Sequence, residues 1–277
     1  MKRFVLALLL LTSNLALAYS PAAGLWWNPN ESGRGYTIDV QDGTMIVTAY
    51  VYDTGHKATW FLASGAFNNA SSTFTGTLGA YSGGQCFGCG FTPATGTAAG
   101  TVSIHFTSTE SGVMTFPGGQ TTIQHQAYAY GSKREYFYGE WAFSLAQGTN
   151  LSTQWVVFNG TYTGSDGTQY ISGAEDSVAG TVALGTYDTS ESAFVVAIAD
   201  NVGDSYIYQM DLGDDRRMLG VGTLTPTGVT PGPLTHVASG SRLLFKSELG
   251  AAKALHAPDG DRLQALAAAI AQFRRAR

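Results

Sequence analysis

Apolar and polar side chains alternate between residues 36 and 53, with one break at the dipeptide Asp42-Gly43. Alternation with a period of two predicts β-strands, and Asp-Gly between two such runs is a strong hairpin signal. The core-like face of this hairpin would carry Tyr36, Ile38, Val40, Met45, Val47, Ala49 and Val51. The opposite face mixes Thr, Asp and Gln with Ile and Tyr. A second turn at residues 53–56 should add Ala58, Trp60 and Leu62 to the core-like face, if the register is kept.

Further short alternating segments extend this pattern along most of the chain. Residues 19–131 hold about eight predicted strands, which suits an up-and-down barrel. A second antiparallel β domain is predicted at residues 135–225, where Gly139-Glu-Trp141 echoes the earlier Gly24-Leu-Trp26. The fold class is therefore all-β: an antiparallel meander or barrel followed by a second β-rich region. Two halves of one larger sandwich are the alternative.

The end of the chain follows a different pattern. Residues 226–240 contain three Pro and three Gly without periodicity, which predicts a linker. Residues 241–277 are predicted to form a short helical tail, with one helix from Ser241 to about residue 255 and a second after Asp259. Its apolar stripe comprises Leu263, Leu266, Ile270 and Phe273. That stripe should bury against the protein's own barrel or another copy, and a membrane surface is the third option.

Residues 1–18 have the features of a secretory signal. A cationic start at Lys2 and Arg3 precedes an apolar run, and Ala16-Leu17-Ala18 supplies small residues for cleavage. We expect the mature chain to start near Tyr19 and to be periplasmic or extracellular. An uncleaved anchor is the alternative, but the run is shorter than the roughly 20 residues of a membrane span. No second apolar stretch is long enough to cross a membrane.

Composition limits the classes of partner. Charged residues make up only 13% of the chain and the net charge is −5. Residues 19–239 carry 17 acidic against six basic side chains, whereas the segment from 240 onward is basic. An acidic body repels nucleic acid and anionic membranes. We therefore expect no nucleic-acid partner.

The most unusual segment is Gly24-Leu-Trp-Trp-Asn-Pro-Asn-Glu-Ser-Gly-Arg-Gly35. Adjacent tryptophans on a strand point to opposite faces, so one should fill the core and the other should face outward or line the barrel mouth. Glu31 and Arg34 are close enough to pair. The loop is either a salt-bridged closure of the barrel end or a ligand contact. The candidate ligand-binding residues are Trp27, Asn28, Glu31, Ser32, Arg34, Tyr50, Tyr52 and Trp60.

Two resemblances follow from these residues. The segment from Gly24 to Gly35, with the later Tyr-Asp-x-Gly-x-x-x-x-Trp stretch ending at Trp60, resembles a Trp-rich β-repeat family of exported bacterial proteins. That family implies location and fold more than activity. The pattern Gly24-x-Trp26-x-Asn28-x-x-x-Ser32 is similar to the opening strand of avidin and streptavidin proteins, which implies biotin contacts at Asn28 and Ser32. The residues from 120 to 130 offer no acidic partner of the kind that those proteins use.

The two cysteines and a search for catalytic motifs limit the kinds of site to consider. Cys86 and Cys89 are the only cysteines, and in an oxidising compartment they favour a small-loop disulfide. Free thiols, or a metal site completed by His105 and His125, are the alternatives. Asp211, Asp214 and Asp215 suit either a solvated turn or a Ca²⁺ site. We find no motif for a nucleophile, a zinc hydrolase or a nucleotide, and no cofactor or metal site is predicted.

The resulting functional hypothesis is an exported binding module that uses an aromatic-bordered barrel end to hold a small molecule or glycan. The second hypothesis is a structural or envelope-interaction protein that self-associates through residues 241–277. A carbohydrate-active enzyme is third, and it would need Glu31 paired with Asp39 or Glu110.

Overall fold

The computed structural model describes residues 20–175, 180–214, 216–226, 231–249 and 259–275. In this part of the chain sixteen β-strands form two closed barrels of eight antiparallel strands each, and one α-helix follows them. The predicted signal segment, residues 1–18, lies outside the described residues. The all-β fold class and the barrel architecture are thus confirmed, and the single-sandwich alternative is wrong.

The first barrel contains eight strands that follow one another around the cylinder and close when β1 pairs with β8. They are β1 (Gly24–Trp27), β2 (Gly35–Gln41), β3 (Thr44–Tyr52), β4 (Ala58–Asn68), β5 (Thr73–Ser82), β6 (Thr95–Ser108), β7 (Ser111–Phe116) and β8 (Gly119–His125). Each predicted alternation therefore corresponds to a strand with one face toward the barrel interior.

The β2–β3 hairpin has the predicted register. Gln41 pairs with Thr44 and Tyr36 with Ala49, and the face that carries Tyr36 and Ile38 is buried. Asp42 and Gly43 both have positive φ, as a tight hairpin turn between twisted strands requires.

The predicted face of β4 is wrong. Five residues connect β3 to β4, and Tyr52 pairs with Ala58, so Trp60 lies directly opposite Tyr50. Directly paired residues share a face of the sheet. Ala58, Trp60 and Leu62 therefore lie on the outside of the barrel, whereas Ala63 and Phe67 enter the core.

The second barrel starts after a short 3-10 helix at Lys133–Phe137. Its strands are β9 (Gly139–Gln147), β10 (Asn150–Thr163), β11 (Gln169–Ala174), β12 (Val182–Asp188), β13 (Ala193–Ala199), β14 (Asp204–Asp214), β15 (Arg217–Pro226) and β16 (His236–Phe245). The barrel closes through the pairing of β16 with β9.

Strand β16 corrects two predicted boundaries. His236–Phe245 runs through the end of the predicted linker, residues 226–240, and the start of the predicted helical tail. The buried positions of this strand are Ala238, Gly240 and Arg242, so it lacks the apolar alternation that predicts a strand, yet β9 and β15 need β16 between them to close the barrel. The predicted helix from Ser241 is therefore wrong up to Phe245, and a 3-10 turn follows at Lys246–Glu248. Residues 250–258 lie outside the description.

The predicted second helix is present as α1 (Gly260–Arg275). Its apolar stripe is buried against the outer face of the second barrel, in one cluster with residues of β12 and β13. Arg274 forms an ion pair with the buried Asp188 of β12. The helix therefore docks on the protein's own barrel, one of the three surfaces considered for it. Within the described residues no helix is both long and apolar enough to cross a bilayer.

The two barrels contact each other through the β6–β7 turn and the segment that precedes β1. Ala22 is fully buried in the hydrophobic cluster of the second barrel, and its amide donates to the carbonyl of Thr109 at 2.7 Å. The buried Glu110 carboxylate lies 3.0 Å from the Lys133 ammonium. The end of the first barrel that bears this turn therefore faces the second barrel.

Candidate binding site at the open end of the first barrel

Up-and-down topology places alternate connections at the same end of a barrel. The β1–β2, β3–β4, β5–β6 and β7–β8 connections therefore meet at one end of the first barrel, which we call the open end. The β6–β7 turn lies at the opposite end, against the second barrel. Arg34, the turn after Tyr52, the Cys86–Cys89 loop and Pro117 are thus brought together, although they are far apart in the sequence.

A cavity of about 290 Å³ extends from the open end into the barrel. Most of its wall is apolar, and its polar groups come from Arg34 and Tyr52 at the rim and from Tyr36. The lining residues are Arg34, Tyr36, Val47, Ala49, Val51, Tyr52, Phe61, Leu78, Ala99, Val102, Met114, Phe116 and Pro117. This volume is at the lower end of the range for small-molecule pockets, roughly 300–1,000 Å³.

The opposite half of the barrel interior is filled. Trp26 is only 1% exposed and packs edge-on against Phe106, with ring centroids 5.4 Å apart. Phe106 in turn contacts Phe67. The indole nitrogen of Trp26 donates to the carbonyl of Ala22 at 2.9 Å. Trp26 therefore closes the floor of the barrel, so the open space lies only above this floor.

Arg34 is held at the rim by an ion pair with Glu31, three residues earlier. Its guanidinium carbon lies 5.2 Å from the centre of the Phe116 ring, in cation–π geometry. Arg34 Nε is buried and has no hydrogen-bond partner among the described residues. A buried donor without a partner is costly, and a bound acceptor would relieve that cost.

Glu31 is the acceptor that fixes this arrangement. Its carboxylate receives hydrogen bonds from Arg34 and from Thr121 Oγ1, the latter at 2.8 Å. These two hydrogen bonds lower the pKa of the Glu31 carboxyl, so it is ionised at neutral pH. The ionised pair carries no net charge. The rim therefore offers a hydrogen-bond donor in a fixed direction, and its electrostatic attraction for anions is weak.

The remaining candidates from the opening motif differ in their positions. Asn28 is buried, donates to Thr121 at 2.9 Å and accepts from the amide of Asn30, so its side chain holds the loop. Ser32 is exposed at the loop surface, and Trp27 is half-buried. None of these three lines the cavity.

The aromatic candidates divide between two surfaces. Tyr52 lines the cavity and also a shallow depression on the outer wall. Tyr50 and Trp60 lie on the outer wall alone, where Trp60 stacks on Tyr81. The sequence did not single out Tyr81, because the register of β5 against β4 depends on the loop that connects them.

Cys86 and Cys89 lie at disulfide-bonding distance, with Cα atoms 5.2 Å apart. They belong to the β5–β6 loop at the open end, and Phe87 and Phe91 of this loop are exposed. A short covalent ring thus constrains the tip of the longest loop in the first barrel.

The carboxylates considered for catalysis are not brought together. Glu31 is ion-paired at the open end, whereas Glu110 is buried beside Lys133 at the opposite end. Asp39 accepts from Gln41 on the outer wall. Among the described residues no group of three or more His, Cys, Asp or Glu side chains is placed to hold a metal ion.

The cavity wall includes several residues that sequence reasoning did not select for binding. Phe61, Leu78 and Phe116 lie on inward faces near the strand ends, where the barrel widens. The predicted register placed Phe61 on the outer face, and no face was predicted for Leu78 or Phe116. Only closure of the barrel shows which inward positions have no partner across the interior. Comparisons of the chain with protein-family models, curated proteins and solved structures found no match.

Proposed function

We propose that this protein binds a small ligand with an apolar body and a hydrogen-bond acceptor at the open end of its first barrel. The observation that carries the proposal is the apolar cavity of about 290 Å³ beneath Arg34. Apolar surface buried there gains about 25 cal/mol per Å², which favours an apolar ligand body. A carbonyl or carboxylate oxygen of the ligand would accept from the buried Nε of Arg34.

Export is part of the proposal and is supported by the sequence of residues 1–18, with its cationic start, apolar run and small residues before Tyr19. A binding module in the periplasm or outside the cell would meet small amphipathic molecules directly. Assembly through the C-terminal helix receives less support, because the apolar stripe of α1 is already buried on β12 and β13.

The test uses N-phenyl-1-naphthylamine, an apolar dye whose fluorescence rises in apolar surroundings. We expect binding with a dissociation constant on the order of 1–100 µM, the range for a ligand of this size. Ala49→Phe puts a ring into the cavity and should weaken dye binding at least ten-fold. Ala66→Phe adds the same ring to the exposed outer wall of β4 and should leave binding unchanged.

Displacement of the dye tests the acceptor. Decanoic acid should displace it from the wild-type protein, and Arg34→Gln should weaken decanoate several-fold more than it weakens the dye itself. Ala99→Phe is a second cavity-filling variant, in case Ala49→Phe does not fold. Dye binding that persists unchanged in a folded cavity-filled variant would overturn the proposal.

A further inference from the structure

Three aromatic side chains form a row across the outside of the first barrel, on β3, β4 and β5. Tyr50 pairs directly with Trp60 on the neighbouring strand. Trp60 stacks on Tyr81, with ring centroids 5.1 Å apart and ring planes 7° apart. The three side chains are 51%, 43% and 39% exposed, respectively. We call Tyr50, Trp60 and Tyr81 the outer aromatic row.

Glycines keep both ends of this row open. Gly35 pairs with Tyr50 on one side, and Gly96 pairs with Tyr81 on the other. A Cβ atom at Gly79 or Gly96 would lie 3.0 Å from the Tyr81 ring. That distance is tighter than an ordinary contact, so the ring can lie close to the sheet only because both positions are glycine. Tyr81 therefore lies low against the sheet, with its ring parallel to that of Trp60.

The three strands that carry the row have no charged side chain. No Asp, Glu, Lys or Arg occurs between Lys57 and Glu110, a stretch that contains all of β4, β5 and β6. On the outward face, Thr48 lies two residues from Tyr50 on β3, and Ser64, Thr75 and Thr77 lie farther along β4 and β5. All four present hydroxyl groups. A neutral surface of rings and hydroxyls complements a neutral partner that is itself rich in hydroxyls.

We propose that the outer aromatic row is a binding site for a neutral glycan, separate from the cavity inside the barrel. The C–H groups on one face of a sugar ring would stack on the electron-rich faces of the exposed rings. The hydroxyls at the edge of the sugar would exchange hydrogen bonds with neighbouring Ser and Thr side chains. Adjacent strands lie about 4.8 Å apart, so the row spans roughly 10 Å and accommodates adjacent sugar units.

The exposed area argues against a second copy of the chain as the occupant. A stable protein–protein interface buries about 800 Å² on each partner. Three aromatic side chains that each bury 150–250 Å² at most, and that are here about half exposed, offer on the order of a few hundred Å². This area is too small for a lasting dimer but sufficient for a weak, stacked ligand.

The experiment is a calorimetric titration of the purified protein with cellohexaose, chitohexaose and maltohexaose, followed in parallel by tryptophan fluorescence. At least one oligosaccharide should bind, and Trp60→Ala should weaken it at least ten-fold. Trp155→Ala is the matched control, because Trp155 is 56% exposed on the outer wall of the second barrel. This control should leave the affinity unchanged. Gly96→Val should also weaken binding, because its side chain would displace the Tyr81 ring.

Several results would overturn the glycan site. One such result is that none of the three oligosaccharides binds at millimolar concentration. Another is that an oligosaccharide binds but its binding is abolished by Ala49→Phe and not by Trp60→Ala. Association of the protein with itself, or with phosphatidylcholine vesicles, that Trp60→Ala removes would assign the row to another partner. Dye binding in the cavity is measured separately, so failure of one site is distinguishable from failure of the other.

Discussion

The two barrels begin in the same way and end with different interiors. Each starts with Gly-x-Trp, and the glycines Gly24 and Gly139 have nearly equal φ values of 126° and 128°. In each barrel the indole nitrogen of the tryptophan donates at 2.9 Å to the carbonyl four residues earlier, from Trp26 to Ala22 and from Trp141 to Phe137. The Gly-x-Trp segment thus anchors the first strand of each barrel to the residues that precede it.

The last strand of each barrel completes this anchor with a basic side chain. In the first barrel His125 packs edge-on against Trp26, and its Nε2 lies 3.2 Å from the carbonyl oxygen of Ala23. In the second barrel the buried Arg242 lies 4.6 Å from the Trp141 ring and donates to the carbonyl of Tyr136. Closure of both barrels therefore joins the first strand, the last strand and the lead-in segment.

The interiors then differ in how much side-chain volume they hold. Beyond its tryptophan the second barrel contains stacked and tilted rings of Phe143, Phe158 and Tyr208. Glycines make room for these rings, since a Cβ at Gly240 would lie 2.9 Å from Phe143. In the first barrel, small side chains such as Val47, Ala49 and Ala99 line the interior beside Phe61 and Phe116, and a cavity remains between them. The same architecture thus encloses a packed interior in the second barrel and a partly open interior in the first barrel.

Removal of the anchoring indole should have the largest effect and should be similar in the two barrels. Trp141→Ala and Trp26→Ala each leave a large cavity in a packed region, so each should lower the free energy of unfolding by about 3–5 kcal/mol. Urea unfolding followed by circular dichroism measures both. Trp155→Ala, on the surface, should change stability by less than about 0.5 kcal/mol. A near-neutral Trp26→Ala would show that the first barrel is not closed by its tryptophan.

Substitutions that add side-chain volume should have different effects on stability in the two barrels. Ala183→Leu inserts three carbons into the packed core of the second barrel and should destabilise the protein by about 1–3 kcal/mol. Ala49→Leu points into the cavity of the first barrel and should be neutral within about 1 kcal/mol or stabilising. Equal destabilisation by the two substitutions in thermal unfolding would contradict the difference between a packed and a hollow barrel.

The sequence predicts most of the fold because alternation is a local signal. The Asp42-Gly43 turn sets the register of β2 and β3, and the predicted pairs are those observed. The error at Trp60 arises where the loop is five residues long, because the turn chemistry there does not determine which face continues. Strand β16 was missed because its buried face carries Ala, Gly and Arg and because β9, the partner that closes the barrel, is distant in sequence.

The candidate site is less accessible to sequence reasoning than the fold. The opening motif directed attention to Arg34, which lines the cavity, and also to Asn28, whose hydrogen bonds hold the loop. Motif residues are noticed because their composition is unusual. A cavity forms where neighbouring side chains are too small to fill the space between them, and a motif does not report this. No local pattern distinguishes Ala49, which borders empty space, from Ala63, which is packed.

The smallest predicted effect concerns the contact between the barrels. Burial raises the pKa of Asp211 on β14 to about 6, with a further contribution from the negative charge of Glu110 in the first barrel. Lys133 lies between the barrels beside Glu110 and Tyr187. Burial alone would lower the pKa of Lys133, but Glu110 and Tyr187 together raise it. Lys133 therefore stays protonated, and Asp211 is the group that titrates near neutral pH.

A carboxyl whose folded pKa is raised holds its proton more tightly in the folded state, so it stabilises the fold at low pH. That contribution should be complete below the unfolded pKa, near 4, and lost as the pH rises through about 6. Asp211 is partly exposed, so solvent screening reduces the effect to about 1 kcal/mol, or a few degrees in melting temperature. Melting curves from pH 4 to 8 should show that Asp211→Asn removes this slope and raises the melting temperature above pH 6. The wild-type protein and the Asp211→Asn variant share all other titrating groups, so the difference between their melting temperatures at each pH reports on Asp211 alone. If this difference did not change with pH, the charge of Asp211 would not be buried between the barrels.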